Sequence, residues 1–203
     1  MQTWIFFDLG STFIDESACT EYRNKALLAQ PGAPSREVLE RYMHESAARN
    51  GLPYKDAARE FGLKMINWPK HLEKLYPSVP ELLEKLSRKY KLGIIANQSL
   101  GTEERMKNFG IRQYFDVIVS SAEEGVEKPD PRIFQLALER AGCHPDEAWM
   151  IGDRLDNDIA PASGLGMKTI WVRQGWFAGG SVELIGCEPD VIVESIREVA
   201  ELF

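Results

Sequence analysis

The chain alternates between short, wholly apolar runs and longer segments in which apolar residues recur every three or four positions. The run WIFF at residues 4–7 comes first, and the run AWMI at residues 148–151 is a later example. Runs of this length predict strands that are buried on both faces of a parallel sheet, and the periodic segments predict helices between them. The predicted strands cover residues 3–7, 92–96, 116–120, 148–151, 168–172 and 191–193. This alternation predicts an α/β fold with a parallel sheet flanked by helices.

One stretch, from about residue 14 to residue 76, departs from this alternation because it predicts helices and no clear strand. Breaks at Pro31-Gly32-Ala33-Pro34 and Asn50-Gly51-Leu52-Pro53 divide it into three helical segments. We interpret residues 14–76 as a small all-helical domain inserted after the first strand. Residues 1–13 and 77–203 then form the core. Later helices are predicted over 79–89, 101–108, 131–140, 156–164 and 195–202, with a loop or short irregular element over 174–189.

Composition limits the possible partners and location of the protein. The 203 residues carry a net charge of −7 and contain no basic stripe, which argues against nucleic acid as a main partner. No stretch approaches the ~18 apolar residues of a membrane span, and Asp8 interrupts the N-terminal apolar run, so we expect neither a membrane partner nor a signal peptide. Three widely spaced cysteines fit reduced thiols in a cytoplasmic protein. Composition does not indicate an oligomeric state.

Acidic residues follow two of the predicted strands. Asp8 comes directly after the first strand, and Asp153 and Asp158 come shortly after the strand at 148–151; Lys128 lies between them in the chain. The carboxyl ends of parallel strands meet at one edge of a sheet, where open α/β folds bind ligands. Carboxylates and a lysine brought together there predict a site for Mg²⁺ and a phosphate group.

Four motifs in this order resemble those of the haloacid dehalogenase superfamily. They are Asp8-Leu9-Gly10-Ser11-Thr12, the strand from Leu92 to Asn97, Lys128-Pro129, and Gly152-Asp153 with Asp158. The resemblance spans about residues 4–173 and places the insert where that superfamily has its helical cap. It implies a Rossmann-like core and a Mg²⁺-dependent phosphatase that acts on a small phosphorylated metabolite.

The resemblance also implies a role for each matched residue. Asp8 is the expected nucleophile, because an ionised carboxylate beside Mg²⁺ can attack phosphorus and give an aspartyl-phosphate. Lys128 is the expected catalytic cation, which neutralises the phosphoryl oxygens and holds Asp8 in place. The expected metal ligands are Asp8, Asp153 and the backbone carbonyl of Gly10, with Asp158 accepting from metal-bound water or from Lys128.

Substrate-binding positions are assigned to Ser11, Thr12, Asn97 and Lys128, and two departures from the superfamily pattern lie beside them. Relatives that hydrolyse phosphate esters usually carry a second aspartate two residues after the nucleophile, where this chain has Gly10. That aspartate protonates the leaving group and then activates water, and such help is typically worth ~10²–10⁴-fold in rate. Relatives also usually place Ser or Thr where this chain has Ala96.

These departures leave several functions open. The first is a phosphatase that is slow, or that acts on a good leaving group such as an acyl phosphate. A base from the insert is then still needed, and the candidates are Asp15, Glu16 and His44, although a solvated position is the favoured interpretation of each. A dehalogenase or a phosphonate hydrolase is less favoured. The remaining alternative is a catalytically weak or inactive protein that binds Mg²⁺ and a phosphorylated ligand.

Overall fold

The predicted α/β fold is confirmed by a computed structural model, which describes residues 3–203. Six strands form one parallel sheet in the order β5-β4-β1-β6-β7-β8, and two short strands pair separately. The strands are β1 (Trp4–Phe7), β2 (Ile14–Asp15), β3 (Lys74–Leu75), β4 (Lys91–Ala96), β5 (Val117–Ser120), β6 (Ala148–Gly152), β7 (Lys168–Val172) and β8 (Val191–Val193).

Helices precede or follow nearly every strand of the sheet. The α-helices are α1 (Ser17–Leu28), α2 (Arg36–Ala48), α3 (Pro53–Glu60), α4 (Val79–Ser87), α5 (Thr102–Asn108), α6 (Ser121–Glu124), α7 (Pro131–Ala141), α8 (Ala160–Gly164), α9 (Val182–Ile185) and α10 (Val199–Leu202). A π-helical turn, Leu155–Ile159, leads into α8. Single 3₁₀ turns cover Lys70–Leu72, Arg112–Tyr114, Pro145–Glu147, Gly175–Phe177 and Ile196–Glu198.

β1 lies at the centre of the sheet, and its side chains alternate between two hydrophobic cores. Ile5 and Phe7 pack on one face, and Trp4 and Phe6 pack on the other. All four are buried, which explains why the strand is a continuous apolar run rather than an alternating one. The strand order reverses at β1, since β4 and β5 lie on one side and β6, β7 and β8 on the other. Such a reversal opens a crevice beyond the carboxyl ends of the strands.

The segment between β2 and β3 has a small core of its own. Helices α1, α2 and α3 pack around a cluster that includes Leu27, Leu39, Met43 and Tyr54. Ser35 begins α2, because its side chain accepts a hydrogen bond from the backbone of Val38. The three helices correspond to the three helical segments predicted from the breaks in the sequence.

The prediction that residues 14–76 contain no strand is wrong at both ends of that stretch. Ile14 and Asp15 pair antiparallel with Leu75 and Lys74, so the chain leaves and re-enters the core through a two-stranded ribbon. Two-residue strands are too short to show a hydrophobic period, which is why the sequence pattern misses them. Short helices α6 and α9 were likewise missed, and the helix expected over 195–202 is a 3₁₀ turn followed by α10.

Among residues 3–203, the helices are too short or too polar to cross a lipid bilayer.

Gly93 provides a test of this packing. A Cβ atom at this position in β4 would overlap the ring of Phe6 in the neighbouring strand β1, and that ring is fully buried. We expect Gly93→Ala to lower the free energy of unfolding by about 1–3 kcal/mol, because the core must shift to admit one methyl group. Urea denaturation followed by circular dichroism measures the change. Gly164→Ala is the matched control, since a Cβ there meets no atom within 4 Å; equal stability of the two variants would contradict this account.

Candidate active site

The carboxyl ends of β1 and β6 place two aspartates side by side. The two strands pair in parallel, with Phe7 opposite Ile151, and the backbone N–H of Asp8 donates to the carbonyl of Ile151 at 2.9 Å. Asp8 therefore begins the loop after β1 just where Asp153 begins the loop after β6. Both residues are more than nine-tenths buried. The sheet thus brings together two carboxylates that are 145 residues apart in the chain.

Lys128 lies between two of the carboxylates of the site. Its Nζ atom is 2.6 Å from Oδ1 of Asp8 and 2.5 Å from Oδ1 of Asp158, and the lysine is almost fully buried. Asp153 completes the group, because oxygens of the three aspartates lie within 4.8 Å of one another. The structure brings together all four of these predicted site residues.

The site combines three carboxylates with the ammonium group of Lys128, and the pKa values of Asp153 and Lys128 are shifted. Burial raises the pKa of Asp153 well above its usual range, and the neighbouring Asp158 and Asp8 raise it further. Burial alone would lower the pKa of Lys128, but the carboxylates of Asp158 and Asp8 raise it above its ordinary value. A divalent cation bound by oxygen ligands would relieve the excess negative charge, so this donor set fits Mg²⁺.

Gly152 allows Asp158 to approach the sheet. A Cβ atom on Gly152 would overlap the carboxylate of Asp158, and the backbone N–H of Arg154 donates to Oδ2 of that carboxylate at 3.0 Å. Oδ1 is left to accept from Lys128. Glycine before Asp153 is therefore a steric requirement, which sequence analysis had not recognised.

Asn97 follows β4 and makes two hydrogen bonds to the backbone of Lys128. Its Oδ1 accepts from the Lys128 N–H at 2.7 Å, and its Nδ2 donates to the Lys128 carbonyl at 2.9 Å. Both polar ends of the side chain are thereby occupied. This arrangement favours a role in positioning Lys128 over the direct contact with substrate predicted from the sequence.

The loop after Asp8 carries the other predicted substrate contacts. The Oγ of Ser11 donates to Oε2 of Glu16 at 3.0 Å, and the Oγ1 of Thr12 lies 3.5 Å from Oδ1 of Asp153. Ser11 has a φ of 52°, which turns the chain sharply. The carbonyl of Gly10 accepts from the Thr12 N–H at 2.5 Å and keeps a second lone pair for a metal ion.

Gln174, two residues after the end of β7, supports this loop and was not identified from the sequence. Its Nε2 donates to the carbonyls of Ser11 and Thr12, and its Oε1 accepts from the backbone of Ile196. Ser11 and Gln174 are far apart in the chain, so no local pattern could reveal their contact.

Glu16 is not the solvated residue that was favoured from the sequence. Its side chain is only partly exposed and turns back toward the loop after Asp8. Burial raises the pKa of the Glu16 carboxyl to about 7; the hydrogen bond from Ser11 opposes this shift and the charge of Asp8 adds to it. Asp15, in contrast, accepts from the backbone of Ser17 at the start of α1, and His44 is exposed with its ring against Trp176.

A cavity of about 360 Å³ lies between this loop and helices α1 and α2. Ser11 and Glu16 line it on the side of the loop, and Asn24 and His44 line it on the side of the helices, with Trp176 completing the wall. The cavity is large enough for a small organic molecule.

Comparisons with known proteins show which family the chain resembles. A family model described as haloacid dehalogenase-like hydrolase matches residues 5–172. A glyceraldehyde 3-phosphate phosphatase of Methanopyrus kandleri is 36% identical over 131 residues, which are 64% of this chain and 56% of that enzyme. Pyrophosphatase PpaX of Bacillus velezensis is 30% identical, and the match covers 98% of this chain and 95% of that enzyme.

The solved structures include similar folds. A haloacid dehalogenase-superfamily phosphatase of Thermococcus onnurineus superposes with a TM-score of 0.67 at 25% identity, covering 100% of this chain and 97% of that one.

The perturbed carboxyl of Glu16 predicts a pH-dependent stability. Because its pKa is raised to about 7 in the folded protein, the folded state favours the protonated form. Stability from this group is therefore fully present below the unfolded pKa of ~4.3 and is lost as the pH rises through about 7. Gln resembles the protonated acid and does not ionise. The free energy of unfolding of Glu16→Gln, relative to that of wild type, should therefore rise by on the order of 1–3 kcal/mol as the pH increases from 4.5 to 8.

Urea denaturation in the presence of a metal chelator measures this difference. Glu45→Gln, at an exposed position of α2, is the control and should show no such trend. A difference between wild type and Glu16→Gln that does not change with pH would contradict the raised pKa.

Proposed function

The chain belongs to the haloacid dehalogenase-like hydrolases, and from this premise we propose that it is a Mg²⁺-dependent phosphatase of small phosphorylated metabolites. The observation that carries the proposal is the ion pairing of Lys128 with Asp8 and Asp158, with Asp153 alongside, next to a cavity of metabolite size. Relatives that are named phosphatases support the same class of reaction.

We assign the attack on phosphorus to Asp8. Its carboxylate oxygen would form the bond to phosphorus while the bond to the leaving oxygen breaks, which leaves an aspartyl-phosphate. Lys128 holds this carboxylate by an ion pair, and its ammonium group would neutralise negative charge on the phosphoryl oxygens. Asn97 fixes the backbone of Lys128, so that the ammonium group is oriented before substrate arrives.

The metal site in this proposal consists of Asp8, Asp153 and the carbonyl of Gly10, with Asp158 beside them. When bound, Mg²⁺ would neutralise negative charge on the phosphoryl group. Residues 14–76 would act as the cap, because α1 and α2 form one wall of the cavity and so would contact the part of the substrate that leaves.

The charge of the cavity suggests which substrates fit. Its described lining includes the carboxylates of Asp15, Glu16, Glu21 and Glu40 and contains neither lysine nor arginine. Arg36, which lies outside the lining, pairs with Glu21 and Glu40. Asp15 and Glu16 have no lysine or arginine beside them in the described lining. A neutral leaving group therefore suits the cavity better than a second phosphate.

Removal of the nucleophile should abolish turnover. Asp8→Asn preserves the shape of the side chain but removes its charge, and we expect phosphate release from small phosphate monoesters to fall at least ~10³-fold. Chelation of Mg²⁺ should have a comparable effect that added Mg²⁺ reverses. Asp146→Asn, an exposed residue before β6, is the control and should retain wild-type activity.

Wild-type protein that binds a phosphorylated compound but releases no phosphate from any ester or acyl phosphate would reject the proposal. That result would instead favour a binding protein on a hydrolase fold.

Substrate preference tests the charge of the cavity. We expect kcat/KM for glyceraldehyde 3-phosphate to exceed that for pyrophosphate by at least ~10-fold, because a second phosphate would face carboxylates and neither lysine nor arginine in the described lining. Steady-state phosphate release with both compounds at equal Mg²⁺ measures the ratio. A preference for pyrophosphate would contradict this part of the proposal.

A further inference from the structure

The carboxylate of Glu16 borders the space in which a side chain at position 10 would start. A Cβ atom built on Gly10 would lie 3.1 Å from Oε1 of Glu16 and 3.7 Å from its Oε2. Apart from the chain neighbours Leu9 and Ser11, no other side chain among residues 3–203 comes as close to that point. The carboxylate of Glu16 is therefore in contact with the point where a side chain at position 10 would begin.

The path of the chain explains how a residue six positions later reaches this space. The loop after Asp8 turns sharply at Ser11, and β2 then returns the chain alongside Gly10. Glu16 follows β2 and precedes the first turn of α1, where its side chain makes no capping hydrogen bond to the helix. It is consequently free to turn toward the loop.

Ser11 fixes the orientation of this carboxylate. Its Oγ donates to Oε2 of Glu16 at 3.0 Å, and the carbonyl of Ser11 is in turn held by Gln174. Within the described part of the chain, Ser11 is the one hydrogen-bond donor to the Glu16 carboxylate. Oε1, the oxygen nearer to Gly10, is left for another partner, and Glu16 also lines the cavity.

We propose that Glu16 is the general acid and base of the reaction and supplies the carboxylate that position 10 lacks. The inference rests on the proposed phosphatase function. In the first half-reaction, an oxygen of Asp8 bonds to phosphorus, the bond to the leaving oxygen breaks, and the proton of Glu16 passes to that oxygen. In the second, the Glu16 carboxylate takes a proton from water, the water oxygen bonds to phosphorus, and the bond to Asp8 breaks.

Other acidic or basic groups of the insert are less suited to this role. Asp15 accepts a hydrogen bond from the backbone of Ser17 at 2.9 Å and so helps to begin α1. His44 is exposed, on the far wall of the cavity, and its ring packs against Trp176 with 4.8 Å between ring centroids. Among the three candidates from the sequence, Glu16 is the one that the structure places against Gly10.

Two substrates of different leaving-group ability test the proposal. We expect Glu16→Gln to lower kcat for an alkyl phosphate such as glycerol phosphate by ~10²–10⁴-fold, because the leaving alkoxide needs a proton. With p-nitrophenyl phosphate, whose leaving group needs none, the first half-reaction should persist and the second should slow. Glu16→Gln should then release a burst of nitrophenol close to one equivalent per protein, followed by slow turnover. A merely structural role would produce no such burst.

Three further variants sharpen the test. Gly10 does not have a positive φ, so it can accept a side chain once Glu16 is removed. Gly10→Asp combined with Glu16→Ala should therefore recover activity relative to Glu16→Ala alone. Glu45→Gln, an exposed residue of α2 outside the cavity, is the matched control and should behave as wild type.

The outcomes separate this inference from the function on which it rests. Wild-type turnover of the alkyl phosphate that is unchanged in Glu16→Gln would overturn the role of Glu16 alone. An equal loss of rate on both substrates, without a burst, would also overturn it. No turnover of either substrate by wild-type protein would overturn the proposed function and the role of Glu16 together.

Discussion

The concentration of three buried carboxylates around one lysine is the constraint on which the rest of the site depends. Burial of an unpaired charge is costly, and Lys128 can balance only part of the charge of Asp8, Asp153 and Asp158. The parallel pairing of β1 with β6 holds Asp8 near Asp153. Two hydrogen bonds from the side chain of Asn97 to the backbone of Lys128, here called the Asn97 clamp, hold the lysine in place. A divalent cation and a phosphoryl group suit such a site, since each complements charge that the protein has already brought together.

The insert is connected to this site by polar contacts as well as by chain connectivity. Glu73, near its end, is almost fully buried and pairs with Arg105 of α5 at 2.7 Å, and it also accepts from Trp68. Both oxygens of the carboxylate bond with the guanidinium group, which fixes its geometry. Together with the ribbon of β2 and β3, this contact places α1 and α2 over the loop that follows Asp8. The shape of the cavity thus depends on both parts of the chain.

Local sequence pattern predicted the features that are themselves local. The apolar run before Asp8 predicted a buried strand, and the acidic residue after it predicted the edge of the sheet; both predictions hold because strand burial and strand ends are properties of a few consecutive residues. The two-stranded ribbon was missed because each strand has only two residues. Gln174 and the Asn97 clamp were missed because each depends on a contact between distant parts of the chain.

Glu16 was predicted to be solvated for a related reason. Its position at the start of a helix is typical of a solvated residue, and only the turn at Ser11 directs its side chain inward.

The central claim, that Asp8 attacks phosphorus with the help of this charge cluster, is tested most directly by intact-mass measurement after incubation with Mg²⁺ and acetyl phosphate. Our account predicts that wild-type protein gains one phosphoryl group, that Asp8→Asn gains none, and that the group persists longer on Glu16→Gln than on wild type. A phosphoryl group of equal amount on Asp8→Asn, or release of phosphate by that variant at the wild-type rate, would contradict the account.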